Sequence, residues 1–391
     1  MALLSGSMAI DAAAAVDEIA LALVQMDTTG RSDLLLGDAG LALFYTYLAD
    51  RQPDAAHEIT GARFLERAAA ASDPAPNLQS ALGVAWAISH LSDAVDEGEP
   101  DATAALLADR LPSWLGPHDL LNGLAGVGAY ALARLPHPDA ARCLAGVVDA
   151  LADRAMTTDQ GITWWTEPAW LEPAWRARYP DGCYDLGVAH GVPGVIGVLA
   201  GALKAGVAAE RARALLAGAV AWLLAQRLPD DERSCFPSWS APGSAPVPAR
   251  TAWCYGDPGI AAVLLAAARA AAEPSWQREA IAVALAAARR APEATGVVDA
   301  GLCHGAVGLG HLYQRLHAAT GEPALGAAAV DWIARALAMR RPGEGVAGFV
   351  AHGVRAGRDA GLLTGAAGVG LALLAALGDD EPAWDAILLM S

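Results

Sequence analysis

The sequence predicts an all-α fold, a double ring of helices built from seven hairpin repeats, and three observations predict it. Alanine, leucine and glycine dominate a chain of 391 residues in which aromatics make up only 6%. Alternating Val/Ile/Thr runs are scarce, and that balance suits closely packed helices over sheet. A Gly-x-x-Gly turn leading into apolar residues recurs along the chain, and the segments between its copies carry charge on one face only.

The copies run in order. "GDAGLALFY" starts at Gly37, and the degenerate "SALGVAWAI" has Ser80 in place of its first glycine. "GLAGVGAYA" starts at Gly123, "GVPGVIGVL" at Gly191 and "GDPGIAAVL" at Gly256, and the last two copies start at Gly305 and Gly365. The first two intervals are both 43 residues and the later ones are longer, which is repeat spacing. After each turn the sequence is apolar nearly all round, so that helix is buried on every side. The intervening helix is amphipathic, as in "AAERARALLAGAVAWLLAQR" from Ala208 to Arg227. Each repeat therefore reads as one inner and one outer helix, and residues 1–391 as a single α/α toroid with an aromatic-rich insertion at about 155–186. Closure of the ring is not visible in the sequence, and an open solenoid fits the same spacing. A glycine in a helix costs about 0.5–1 kcal/mol relative to alanine. The expected reason for keeping it is close approach of neighbouring inner helices near their N-termini.

Composition removes several function classes. A formal charge of -17 repels nucleic-acid phosphates and anionic lipid, and no Lys/Arg cluster makes a local exception. The apolar start lacks a basic segment and meets Asp11, Asp17 and Glu18, unlike a secretory signal. Ala360 to Gly378 is uncharged and of membrane length, but it carries five glycines and belongs to the repeat series, so no membrane span is expected. The five cysteines, Cys143, Cys183, Cys235, Cys254 and Cys303, lack disulfide-type spacing, as expected of a reducing cytoplasm.

Equivalent repeats place the residues ahead of each turn at one rim. Immediately before the first glycine, or Ser80, stand Leu36, Gln79, Asn122, His190, Tyr255, His304 and Thr364; two places before it come Cys254 and Cys303 in adjacent repeats. Cys254, Cys303 and His304 thus bring two thiolates and one imidazole to one mouth, a soft donor set that suits zinc with its fourth position open. His190 shares the phase of His304 but has no neighbouring cysteine, which fits acid/base work better than ligation. Asp119 in "HDLLNG" either orients that histidine from the next repeat or caps a helix. "ARTAWCYG" brings Arg250 and Tyr255 to the rim, where an arginine either stabilises a developing oxyanion or forms a surface ion pair. His118, His311, His317 and His352 are out of phase. The aromatic insertion, Trp164 to Tyr184, covers the mouth, contacts a peptide or simply packs as a long loop.

These residues resemble the lanthionine synthetase C family, zinc-dependent cyclases of lanthipeptide biosynthesis, through "AHG" at 189–191, "WCYG" at 253–256, "CHG" at 303–305 and the seven turns. The resemblance implies a closed α/α toroid, zinc held by Cys254, Cys303 and His304, and catalytic roles for His190 and Asp119 supported by Arg250 and Tyr255. It implies addition of a peptide cysteine thiol to dehydroalanine or dehydrobutyrine in a leader-bearing precursor. A dehydratase is a possible partner. With no dehydratase or kinase segment ahead of the repeats, the expected type is the stand-alone cyclase. A zinc-bearing scaffold or glutathione-associated relative shares the ligands; His190, Asp119 and Arg250 favour the enzyme.

Overall fold

A computed structural model describes residues 2–92, 100–230, 232–352 and 356–391. Seven helices follow the seven turns: α2 (Asp38–Arg51), α4 (Ala81–Leu91), α6 (Leu124–Ala133), α9 (Val192–Lys204), α11 (Asp257–Ala271), α13 (Ala306–Thr320) and α15 (Ala366–Leu377). Each is capped by the first residue of its turn: Gly37, Ser80, Gly123, Gly191, Gly256, Gly305 or Gly365. The amphipathic segments form α1 (Gly6–Val24), α3 (Ala55–Ala70), α5 (Ala102–Arg110), α7 (Pro138–Arg154), α10 (Ala209–Ala225), α12 (Pro274–Ala288) and α14 (Pro323–Ala338). The insertion holds the short helix α8 (Pro173–Arg178) and strands β1 (Met156–Thr158), β2 (Gly161–Thr163) and β3 (Tyr184–Asp185). β1 pairs antiparallel with β2, and β3 pairs antiparallel with β4 (Trp239–Ser240).

The chain divides into two compact units, Met1–Val95 with Gly296–Trp384, and Asp96–Thr295 with Asp385–Ser391. In the first, α2 packs on α3 and α13 on α14, while α15 finds its outer partner in α1. The seventh hairpin is therefore assembled from the two ends of the chain. α15 also packs on α2, and all twelve of its residues are buried, as an inner helix requires. In the second unit, α6 packs on α7, α9 on α10 and α11 on α12. Its core also takes up the C-terminal residues: Ile387, Leu388 and Met390 are buried, and the Trp253 indole donates to the Leu388 carbonyl at 2.9 Å.

The expected reason for the second glycine of each turn needs correction. A Cβ at Gly308 would run into the Leu302 carbonyl, and one at Gly368 into the Leu362 carbonyl, well inside van der Waals contact. The crowding partner is the loop backbone leading into the same helix, with a neighbouring repeat adding only a looser side-chain contact such as Leu302 Cβ at 3.1 Å from Gly368. The turn folds back over its own helix start, and only glycine leaves room for it.

Those loops are stitched to the next repeat by main-chain hydrogen bonds between equivalent positions. In the second unit the Leu121 amide donates to Ala189 at 3.3 Å, and the Ala189 amide to Cys254 at 3.4 Å. In the first, the Cys303 amide donates to Leu363 at 2.7 Å, and the Leu363 amide to Leu35 at 3.0 Å. These bonds join residues two places before their turns, so within each unit they hold those rim positions in register. The bond from repeat seven to Leu35 of repeat one joins the ends of the chain.

Candidate functional site

Ahead of α9 the rim loop turns on Asp185, whose Oδ1 accepts from the Gly187 amide at 2.7 Å. The loop then presents His190 one residue before the Gly191 cap. Ahead of α6, Asp119 makes the corresponding turn with its Oδ1, accepting from the Asn122 amide at 2.6 Å. Its other oxygen, Oδ2, lies 3.6 Å from His190 Nδ1. Asp119 does not cap the helix, a position that Gly123 takes; its carboxylate holds its own loop and faces the histidine of the next repeat.

The charges of this pair follow from its surroundings. Burial works against the imidazolium of His190, but the Asp119 carboxylate outweighs it by hydrogen bond and charge, with Asp185 and Cys254 adding to the pull. The pKa is held up at about 9. Asp119 is buried, which disfavours its anion, yet the His190 hydrogen bond and charge bring its pKa below the usual carboxylate value. At neutral pH the pair is an imidazolium against a carboxylate. His190 retains about a third of its side-chain surface, so the ring reaches open space while its partner does not.

Tyr255 precedes the Gly256 cap of α11, and Gly256 has a φ of 151°, a backbone conformation that suits glycine. The Tyr255 ring stacks on His190 with centroids 6.2 Å apart. Its hydroxyl donates to Asp185 Oδ2 at 2.8 Å. Burial and the adjacent Asp185 charge push the phenol's pKa well above its ordinary value, so it stays protonated. Asp185 itself is driven up to about 6 by burial, against the favourable His190 charge and its hydrogen bonds. Arg250 is exposed, six residues ahead of the Gly256 cap of α11, and among the described residues it forms no ion pair.

Cys254 is buried ahead of α11 in the second unit, and Cys303 and the partly exposed His304 stand side by side ahead of α13 in the first. Thiols and an imidazole are soft-metal donors, and three such ligands would leave one position for substrate. All five cysteines are free thiols.

Sequence reasoning missed Asp185 and Trp239. The first had a signal: Asp-x-Gly stands six residues ahead of the first glycine in repeats four, six and seven, at Asp185, Asp299 and Asp359. In each, the carboxylate accepts from the glycine amide two residues on. Trp239 lies in a long connection without periodicity, and its indole donates to Asp185 Oδ2 at 3.1 Å. The insertion reaches this point through Trp175, whose ring packs at a tilt on Trp239 with centroids 3.9 Å apart, and Trp239 packs on Tyr255 at 4.8 Å. His118 and His311 are buried, and His352 donates its backbone amide to Asp299 Oδ2 at 2.9 Å. Among the described residues no helix is long and apolar enough to cross a membrane.

Comparison with known proteins agrees with the architecture. The nisin cyclase structure superposes with a TM-score of 0.78 at 18% identity, covering 96% of this chain and 97% of that one, which places the fold among helical toroids. No curated protein sequence matches significantly. The family described as lanthionine synthetase C-like protein matches residues 29–389. The chain therefore belongs to the lanthionine synthetase C-like family.

Proposed function

We propose that the chain is a zinc-dependent lanthipeptide cyclase acting on a dehydrated, leader-bearing precursor peptide. The observation that carries the reading is His190 paired with Asp119 on the rim that also bears Cys254. Family membership and the nisin cyclase likeness support it. Zinc is the fitting ion for Cys254, Cys303 and His304. When bound, it supplies a Lewis acid that makes a substrate thiol available as thiolate at neutral pH.

In the reaction the cysteine thiol gives its proton to solvent, from which the acid is later reprotonated, and its sulfur bonds to the β-carbon of the dehydroamino acid. The displaced π electrons pass to the α-carbon and its carbonyl oxygen, and the enolate is quenched by a proton at the α-carbon. His190 is assigned that proton. Its pairing with Asp119 keeps the imidazole charged at neutral pH, which supports the acid over the base role. Asp119 holds the ring and its charge. Arg250, exposed ahead of α11, is assigned to stabilise the negative charge that develops on the carbonyl oxygen. Tyr255 stays a neutral phenol against the imidazole and confines its ring. We also propose that these functions belong to one domain, that the protein works in the cytoplasm on a reduced substrate, and that a dehydratase supplies that substrate.

The ring-forming step conserves mass, so its test is loss of alkylatable thiol together with fragmentation that stops within rings. A matched dehydrated precursor incubated with zinc-loaded protein is expected to lose its free thiols. A precursor that keeps all of them overturns the cyclase reading in favour of a binding scaffold.

A further inference from the structure

Asp185 differs from its two counterparts in what its second oxygen does. Asp299 Oδ2 accepts from the His352 amide at 2.9 Å, and Asp359 Oδ2 from the Thr364 hydroxyl of its own loop at 2.6 Å. Asp185 Oδ2 instead holds two aromatic side chains. It accepts the Tyr255 hydroxyl at 2.8 Å and the Trp239 indole at 3.1 Å, while Oδ1 remains on the Gly187 amide. The carboxylate is 1% exposed, so no water competes for these donors.

We propose that Asp185 is a positioning residue that fixes the Tyr255 phenol, and through it the His190 ring, in the working geometry of the site. The proposal rests on the cyclase reading and deepens it. Tyr255 has one hydroxyl proton and donates it to Asp185, so the orientation of the phenol is set and its oxygen keeps only acceptor capacity. Position is fixed as well as orientation. The Tyr255 ring lies between His190 at 6.2 Å and Trp239 at 4.8 Å, and Trp239 is held by the same Asp185 oxygen that holds the phenol. A single buried carboxylate therefore clamps both the hydroxyl end of Tyr255 and the ring behind it. Through the Trp175–Trp239 contact, the clamp also ties the aromatic insertion to the site, which gives that segment a supporting role.

The test is a double-mutant cycle on the full, zinc-loaded chain with Asp185→Asn and Tyr255→Phe, reading kcat, KM and zinc content. If Asp185 acts through the phenol, each single variant lowers kcat about tenfold with zinc retained, and the double variant falls no more than about twofold below Y255F. Additive losses, about a hundredfold in the double variant, place Asp185 in loop stability alone and overturn the proposal, as does an unimpaired D185N. Should D185N fail to fold, Asp185→Glu replaces it in the same cycle. A second readout needs no turnover: 3-fluorotyrosine placed at position 255 should show a 19F shift that moves on D185N and stays in place on Asp299→Asn, the equivalent turn in repeat six. An unmoved shift overturns the clamp. Wild-type protein that forms no rings sinks the cyclase reading, while the 19F result still decides the clamp.

Discussion

His190 Nδ1 lies 3.6 Å from Asp119 Oδ2, and the two residues come from consecutive repeats whose loops are joined by main-chain hydrogen bonds. Neither residue's charge state belongs to it alone. Burial disfavours both ions, and the pair is held charged because each supplies the other's counterion. The repeat architecture is what makes this possible, since a belt of backbone bonds fixes the register between a carboxylate in one loop and an imidazole in the next.

A pH profile tests that coupling. An acid is active while it holds its proton, so cyclisation should persist through neutral pH and fall as pH rises through about 9. In Asp119→Asn the raising partner is gone, and the alkaline limb should move to lower pH. The stability contribution has the same sign: the folded pKa of His190 is above its unfolded value of about 6.5. The stabilisation is therefore complete below about 6.5 and is lost as pH rises through about 9. An alkaline limb unchanged in D119N assigns it to another group.

Metal analysis tests the donor set. Purified protein should carry about one zinc per chain, and Cys303→Ala or Cys254→Ala should lose most of it. His190→Asn should keep its zinc and slow cyclisation by about a hundredfold or more. Unchanged zinc in C303A removes the ligand assignment, and zinc loss in H190N makes His190 a ligand.

The fold was legible because its signal repeats: a glycine-spaced turn at seven positions gave the inner helices, and their phase gave the rim. The rim positions of His190, Tyr255, Cys254, Cys303 and His304, each just ahead of an inner helix, followed from that phase. Two things were hidden. The partnership of α15 with α1 joins residues at opposite ends of the chain, and no local pattern encodes it. Trp239 enters through an irregular connection, so only folding reveals that its indole shares an oxygen with Tyr255. Asp185 lay between these cases, visible as Asp-x-Gly but indistinguishable in sequence from Asp299 and Asp359, whose second oxygens bond elsewhere.

The turn glycines supply the last prediction, and α13 contains its own control. At Gly308 an added Cβ would strike the Leu302 carbonyl, backbone of the loop that positions Cys303 and His304. At Gly310, two residues on, the nearest atoms are Ile333 Cγ1 at 2.8 Å and Cδ1 at 2.9 Å, a side chain of α14 in place of loop backbone. Both replacements gain the helical preference of alanine, about 0.5–1 kcal/mol. For Gly308→Ala that gain is outweighed by forcing the loop off its helix, so stability should drop by about 2 kcal/mol or more, and zinc content should fall with it. Gly310→Ala should stay within about 1 kcal/mol of the parent. Chemical denaturation of the two variants, with zinc measured on each, separates the explanations. Equal and small effects would mean that the loop yields easily; a larger loss at Gly310 would return the glycines to the role of admitting neighbouring helices.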